Sequence, residues 1–166
     1  DRLIIEGLFT TLTNVSFDAA RIQRQIERVQ REQAIIAPGC AACMSRCGNT
    51  DAYDLNQIWD ADEDIRSLKS LILFGLRGMA AYTYHAMTLG YTNDEVNAFF
   101  YRALSVLSFD WETEQLLPVV LEVGRINLLA MELLDRANTE TFGTPEPTTV
   151  PLAIEPGPFI VVSGHD

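Results

Sequence analysis

The sequence lacks long hydrophobic runs, a basic start and an excess of positive charge. No apolar stretch in its 166 residues approaches the roughly 20 that a membrane-spanning helix needs. The first residues, DRLIIEGLFTT, lack both an initiating Met and the basic segment of a signal peptide. The chain has only 12 basic residues and 23 acidic ones, which gives a net charge of −11. This charge disfavours binding to nucleic-acid backbones or anionic membranes. We therefore expect a cytoplasmic protein with no nucleic-acid or membrane partner.

Cysteine is also scarce. The chain has three, Cys40, Cys43 and Cys47, all within CAACMSRC. An odd number in one short stretch argues against structural disulfides and for a reducing compartment. Three thiolates at this spacing could converge on zinc or an iron–sulfur cluster, but such sites usually take four ligands. His85 or a residue outside the chain would have to complete the set, and reduced thiols in a loop are the alternative interpretation.

Other signals of catalysis are missing. The sequence has no phosphate-binding glycine loop, nucleophile elbow or convincing Ser/His/Asp set. His85 lies in AYTYHAM, among aromatic and methyl groups on a predicted helix. This setting favours a histidine of the core or of a groove, with a metal ligand as the alternative.

Hydrophobic residues make up 48% of the chain, enough to build the core of one domain. Between Asp1 and Thr13, apolar residues including Ile4, Ile5 and Leu8 recur at helical spacing and predict the tail of an amphipathic helix. Asp18 can cap a second helix. The helical spacing of its apolar residues predicts one buried side and one solvated side. The buried side comprises Ile22, Ile26 and Val29, and the solvated side comprises Arg21, Arg24, Glu27 and Arg28.

Three more helices are predicted after the cysteine stretch. A long one runs from about Asp64 to Leu89 and ends at Gly90, a residue suited to a helix C-cap. The next starts at Thr92, Asn93 or Asp94 and has a buried apolar face. The last opens at Asp110 and runs to about Ala137. Pro118 lies either in its first turn or at a kink, because proline removes a backbone donor.

A weak internal repeat relates the two halves of this region. LTNVSFD at 12–18 resembles LSVLSFD at 104–110, and at both places one predicted helix ends, Ser-Phe-Asp forms the corner and another helix begins. A long helix precedes the second copy only, so we expect a further helix ahead of Asp1. The predicted fold class is mainly α: residues 1–137 form a helical bundle domain of two related three-helix bundles, the first incomplete.

The chemistry-bearing feature of the C-terminus is His165. Residues 138–157 contain several prolines and no helical period, and predict an extended linker. Residues 158–166, PFIVVSGHD, predict an apolar strand that ends in a polar turn. Open α/β sheets place ligands just past the carboxyl ends of strands, and neutral imidazole binds iron well. A solvent-exposed or hydrogen-bonded terminal histidine is the alternative.

Three stretches, LFTTLTNVSFD, LLDRANTETFGTPEPT and FIVVSGHD, together closely resemble the hybrid cluster protein family, also called prismane proteins or hydroxylamine reductases. LILFGLRGMAAYTYHAMTLGY resembles the long bundle helix of that family. The resemblance covers nearly the whole chain except about 37–59. It implies an N-terminal four-cysteine motif for one iron–sulfur cluster, a helical domain of two three-helix bundles, and two α/β domains. On this resemblance, residues 158–166 are the first strand and turn of a truncated α/β domain.

The resemblance also implies a hybrid iron–sulfur–oxygen cluster between the domains, held by a histidine, two glutamates and several cysteines. The histidine of the family's Gly-His-Asp matches His165, so His165 is the one cofactor-binding metal ligand carried over, and no catalytic residue is carried over. Asp166 could orient its imidazole. Cys40, Cys43 and Cys47 match no ligand of the family.

The activity implied is the reduction of hydroxylamine to ammonia and water, and nitric oxide reduction to nitrous oxide is the other activity ascribed to the family. The implied partners are the substrate, an electron donor and the missing domains of the same protein. We expect this chain alone to bind no cluster and to be inactive, since one ligand cannot hold a cluster. The alternatives are a non-catalytic helical scaffold, a small metal protein using Cys40, Cys43 and Cys47, and, more distantly, a nickel–iron carbon monoxide dehydrogenase.

Overall fold

The computed structural model of the protein describes residues 1–12, 17–36, 54–154 and 156–161, with the backbone alone at Ile36. Helices dominate these residues and no strand occurs among them, which confirms the prediction of a mainly helical bundle. The helices are α1 (Arg2–Thr10), α2 (Ala19–Ile36), α3 (Asn56–Trp59), α4 (Glu63–Thr88), α5 (Asp94–Val106) and α6 (Thr113–Phe142).

The long helices α4 and α6 pack against each other and form the centre of the fold, with α1 and α5 against them. Burial of their large side chains supplies about 1.5–3 kcal/mol each. The fully buried side chains include Ile5, Ile58, Ile72, Leu76, Met79, Phe100, Leu116 and Ile126. At the crossing, a Cβ added to Gly75 would lie 2.5 Å from Cγ1 of Val123. The close approach of α4 to α6 therefore requires glycine at this position.

The corner between α5 and α6 is held by Lys69 of α4, the only lysine in the sequence. Its Nζ donates hydrogen bonds to the carbonyl oxygens of Leu107 at 3.1 Å and Phe109 at 2.8 Å. The residue is only 6% exposed. A cation at the C-terminal end of α5 also interacts favourably with the helix dipole, so Lys69 connects α4 to the second Ser-Phe-Asp corner.

The helix starts show which capping predictions were right. Asp18 Oδ1 accepts hydrogen bonds from the backbone N–H groups that open α2, as predicted. Asn93 Oδ1 does the same for α5, which selects Asn93 from the three candidate starts. The predicted start of the last helix at Asp110 is wrong. Glu112 and Gln115 form a reciprocal capping box, which satisfies backbone donors and sets the start at Thr113.

Helix α6 continues to Phe142, so its predicted end near Ala137 is also wrong, and 138–142 of the expected extended segment are helical. Ala137 is buried against α4, and the Tyr91 hydroxyl donates to Glu140 Oε2 at 2.7 Å. Pro118 lies inside the helix, beyond its first turn, where it removes a single backbone donor.

The apolar face of α2 is not covered as predicted. Ile22, Ile26 and Val29 are 36%, 44% and 43% exposed. The amphipathic pattern correctly placed these three residues on one side of a helix. However, that side stays partly exposed in the described part of the chain, where α2 contacts α1 and the Arg28–Glu6 hydrogen bond joins the two helices.

The described residues after Gly143 have no regular secondary structure. Leu152, Ile154 and Ile160 are almost fully exposed. The predicted strand lies partly here: Phe159, Ile160 and Val161 are not in a strand, since no described segment offers them a backbone partner. Within the described residues, no helix is both long and apolar enough to cross a membrane.

Candidate functional site

The residues predicted to bind metal lie outside the described residues. This applies to His165, to its neighbour Asp166, and to Cys40, Cys43 and Cys47. Among residues 1–12, 17–36, 54–154 and 156–161, no group of three or more His, Cys, Asp or Glu residues could hold a metal ion.

The point where the chain leaves the helical bundle towards His165 is well anchored. Ala137 and Leu133 of α6 are buried against Ala86 of α4. One turn further on, the hydrogen bond to the Glu140 carboxylate raises the pKa of Tyr91, because it favours the protonated phenol. Gly143, with φ +88°, then ends the helix in the left-handed region that favours glycine.

His85 lies in a cluster of rings between α1 and α4. Phe9 and Tyr84 stack with ring centroids 4.4 Å apart. The His85 imidazole contacts both edge-on, at 5.6 Å from Phe9 and 5.9 Å from Tyr84. The half-buried position agrees with the predicted groove histidine, and among the described residues no metal-binding group includes it.

A cleft of about 250 Å³ opens beside these rings, between α1, α2 and α4. Phe9 and Tyr84 line one part of it, and Arg21, Arg24 and Arg28 line another. The sequence interpretation treated these arginines simply as a solvated face. Their spacing of three and four residues places them on one side of α2, and this was the available signal. It could not show that α1 and α4 close the other sides of a cleft.

One acidic residue in the cleft, Glu6, is already paired. Arg2 Nε lies 2.6 Å and Arg28 Nη1 2.9 Å from its carboxylate oxygens. Burial of the carboxyl opposes ionisation, but the hydrogen bonds and charges of the two arginines outweigh burial and lower the pKa of Glu6. Glu6 is therefore ionised at neutral pH, and its charge is compensated within the cleft.

Comparison with known proteins finds one matching family and several similar relatives. The model of the Prismane/CO dehydrogenase family matches residues 1–166. A hydroxylamine reductase of Maridesulfovibrio salexigens is 41% identical over 179 aligned residues, covering 100% of this chain and 33% of the relative. A hydroxylamine reductase of Chlorobaculum tepidum is 40% identical, and the alignment covers 99% of this chain and 33% of the relative. A hydroxylamine reductase of Porphyromonas gingivalis is 39% identical, and the alignment covers 100% of this chain and 33% of the relative.

The chain thus spans about a third of the length of the curated relatives it matches. The match extends along the whole helical bundle and through the segment that ends in Gly-His-Asp. On these findings, the chain belongs to the Prismane/CO dehydrogenase family.

Proposed function

We propose that this chain is the helical part of a hydroxylamine reductase, an iron–sulfur oxidoreductase that converts hydroxylamine to ammonia and water. The observation that carries the proposal is the match to hydroxylamine reductases at about 40% identity over essentially the whole chain. The reaction breaks the N–O bond of hydroxylamine with two electrons and two protons. The electrons come from a separate donor.

The implied hybrid cluster supplies, when bound, the iron for the substrate and the path for electrons. His165 is the residue of this chain that would bind it, through a neutral imidazole nitrogen. It would hold and tune one iron rather than move a proton. The other ligands that the resemblance implies would come from other parts of the parent protein, so we expect the isolated chain to be inactive.

The described residues support a requirement for further domains. Leu152, Ile154 and Ile160 are almost fully exposed in the segment that leads to His165. Exposure of three large apolar side chains in about ten residues is costly in water. Backbone pairing and burial against the domains that follow would cover them and fix His165 in place. This exposure supports the proposal that other domains of the parent protein pack against this segment.

The experiment uses the whole natural polypeptide, purified without oxygen, with reduced methyl viologen as the electron source. We expect hydroxylamine-dependent oxidation of the viologen. His165→Ala should lose most of this activity together with part of the bound iron, whereas His85→Gln, in the only other histidine of the chain, should retain both. The isolated chain of 166 residues should show neither.

Carbon monoxide is the comparison substrate, because the family description includes CO dehydrogenase. Oxidation of carbon monoxide without reduction of hydroxylamine would overturn the proposed function. A His165→Ala protein with unchanged iron and activity would overturn the role given to His165.

A further inference from the structure

A cleft that the proposed function does not use lies between α1, α2 and α4. We propose that it binds a small organic anion, with Arg21 and Arg24 on the carboxylate or phosphate group and with Phe9 and Tyr84 against a planar apolar part. The cleft measures about 250 Å³, which is enough for a ring that carries one anionic group. The proposal is independent of the redox chemistry.

The charge of the cleft is unusual for this protein. The chain as a whole carries −11, yet three arginines of one helix line this single concavity. A cluster of guanidinium groups attracts anions and can bind a carboxylate or phosphate through two parallel hydrogen bonds. On a strongly acidic protein, such a cluster favours specific recognition over general attraction of polyanions.

Two of the three arginines are available to a ligand. Arg28 is engaged by Glu6 at 2.9 Å. Arg24 approaches Asp18 only to 3.8 Å, a long and exposed ion pair that contributes little. The Arg21 guanidinium makes no hydrogen bond or ion pair with any described residue. An anion would therefore find two guanidinium groups whose binding breaks no strong contact.

The other walls suit an organic ligand. The stacked Phe9 and Tyr84 rings provide an apolar surface, against which a planar group can pack in an offset or edge-to-face arrangement. Gln25 also lines the cleft, and its Oε1 accepts a hydrogen bond from Nη1 of Arg28 at 3.2 Å, which helps to hold Arg28 in the wall.

Isothermal titration calorimetry on the whole natural polypeptide tests the proposal with phenyl phosphate, benzoate and inorganic phosphate. We expect phenyl phosphate or benzoate to bind at least about tenfold more tightly than inorganic phosphate, since only the first two use the rings as well as the arginines. Whichever binds more tightly identifies the anionic group. Arg21→Gln with Arg24→Gln should weaken that binding by about tenfold or more.

Arg31→Gln is the matched control, because Arg31 is an exposed arginine of α2 that does not line this cleft. We expect it to leave binding unchanged. An equal loss in the control would show general charge attraction and overturn the proposal. So would unchanged binding in the double variant, or no binding of phenyl phosphate and benzoate at millimolar concentration.

Discussion

Replacing Lys69 by methionine tests how the single buried lysine holds the fold together. Its ammonium donates to two carbonyl oxygens, at 3.1 and 2.8 Å, in the corner between α5 and α6. Each such hydrogen bond from a charged donor contributes about 1.5 kcal/mol or more, so losing both costs about 3 kcal/mol. Methionine has a similar length, and removing the ammonium also removes the cost of burying its charge, which offsets part of this loss. We therefore expect Lys69→Met to lower the free energy of unfolding by about 2 kcal/mol.

Urea unfolding followed by circular dichroism measures this difference, with an unchanged denaturant slope as the sign that the unfolded surface is the same. Arg66→Gln, an exposed position one turn earlier in α4, is the control and should change stability by less than about 0.5 kcal/mol. Unchanged or higher stability in Lys69→Met would refute the reasoning. It would mean that the hydrogen bonds only offset the cost of burying the charge.

The other predictions concern packing and charge. Gly75→Ala should destabilise the protein by about 1–3 kcal/mol in a urea titration, because the added Cβ would contact Val123. Gly78→Ala is the control and should be neutral or stabilising, because the space around Gly78 is open. Because the pKa of Glu6 is lowered in the folded protein, its ion pairs stabilise the fold above the ordinary pKa of 4.5 and lose that effect as pH falls below it. The difference in unfolding free energy between wild type and Glu6→Gln should therefore shrink between pH 6 and pH 3. A constant difference over that range would contradict this. Tyr91→Phe should accelerate amide hydrogen exchange in 138–142 without changing exchange in the middle of α6.

Local patterns predicted most of the helices because their signals lie within a few residues. The Gly90 stop after α4 and the apolar face of α5 were sufficient. The ends of α6 were missed for two different reasons. A glutamate and a glutamine three residues apart set its start, while a tertiary contact from Tyr91 to Glu140 supports its last turns.

Contacts between elements were the part that the sequence could not supply. Helical periodicity identified the apolar side of α2 but not whether another helix covers it. Nothing local marks Lys69 as buried, since lysine is usually exposed. His165 was proposed from a strand end and a family resemblance, whereas the arginine cleft depends on how three separate helices meet.

The most direct test of the central claim is the stoichiometry of the reaction. The whole natural polypeptide, purified without oxygen, is given hydroxylamine and a measured amount of reduced methyl viologen, and the ammonia formed is determined. The account predicts one ammonia for every two viologens oxidised, with iron and acid-labile sulfide in the protein. Absence of ammonia formation by protein that contains its iron, or ammonia formed without oxidation of viologen, would contradict it.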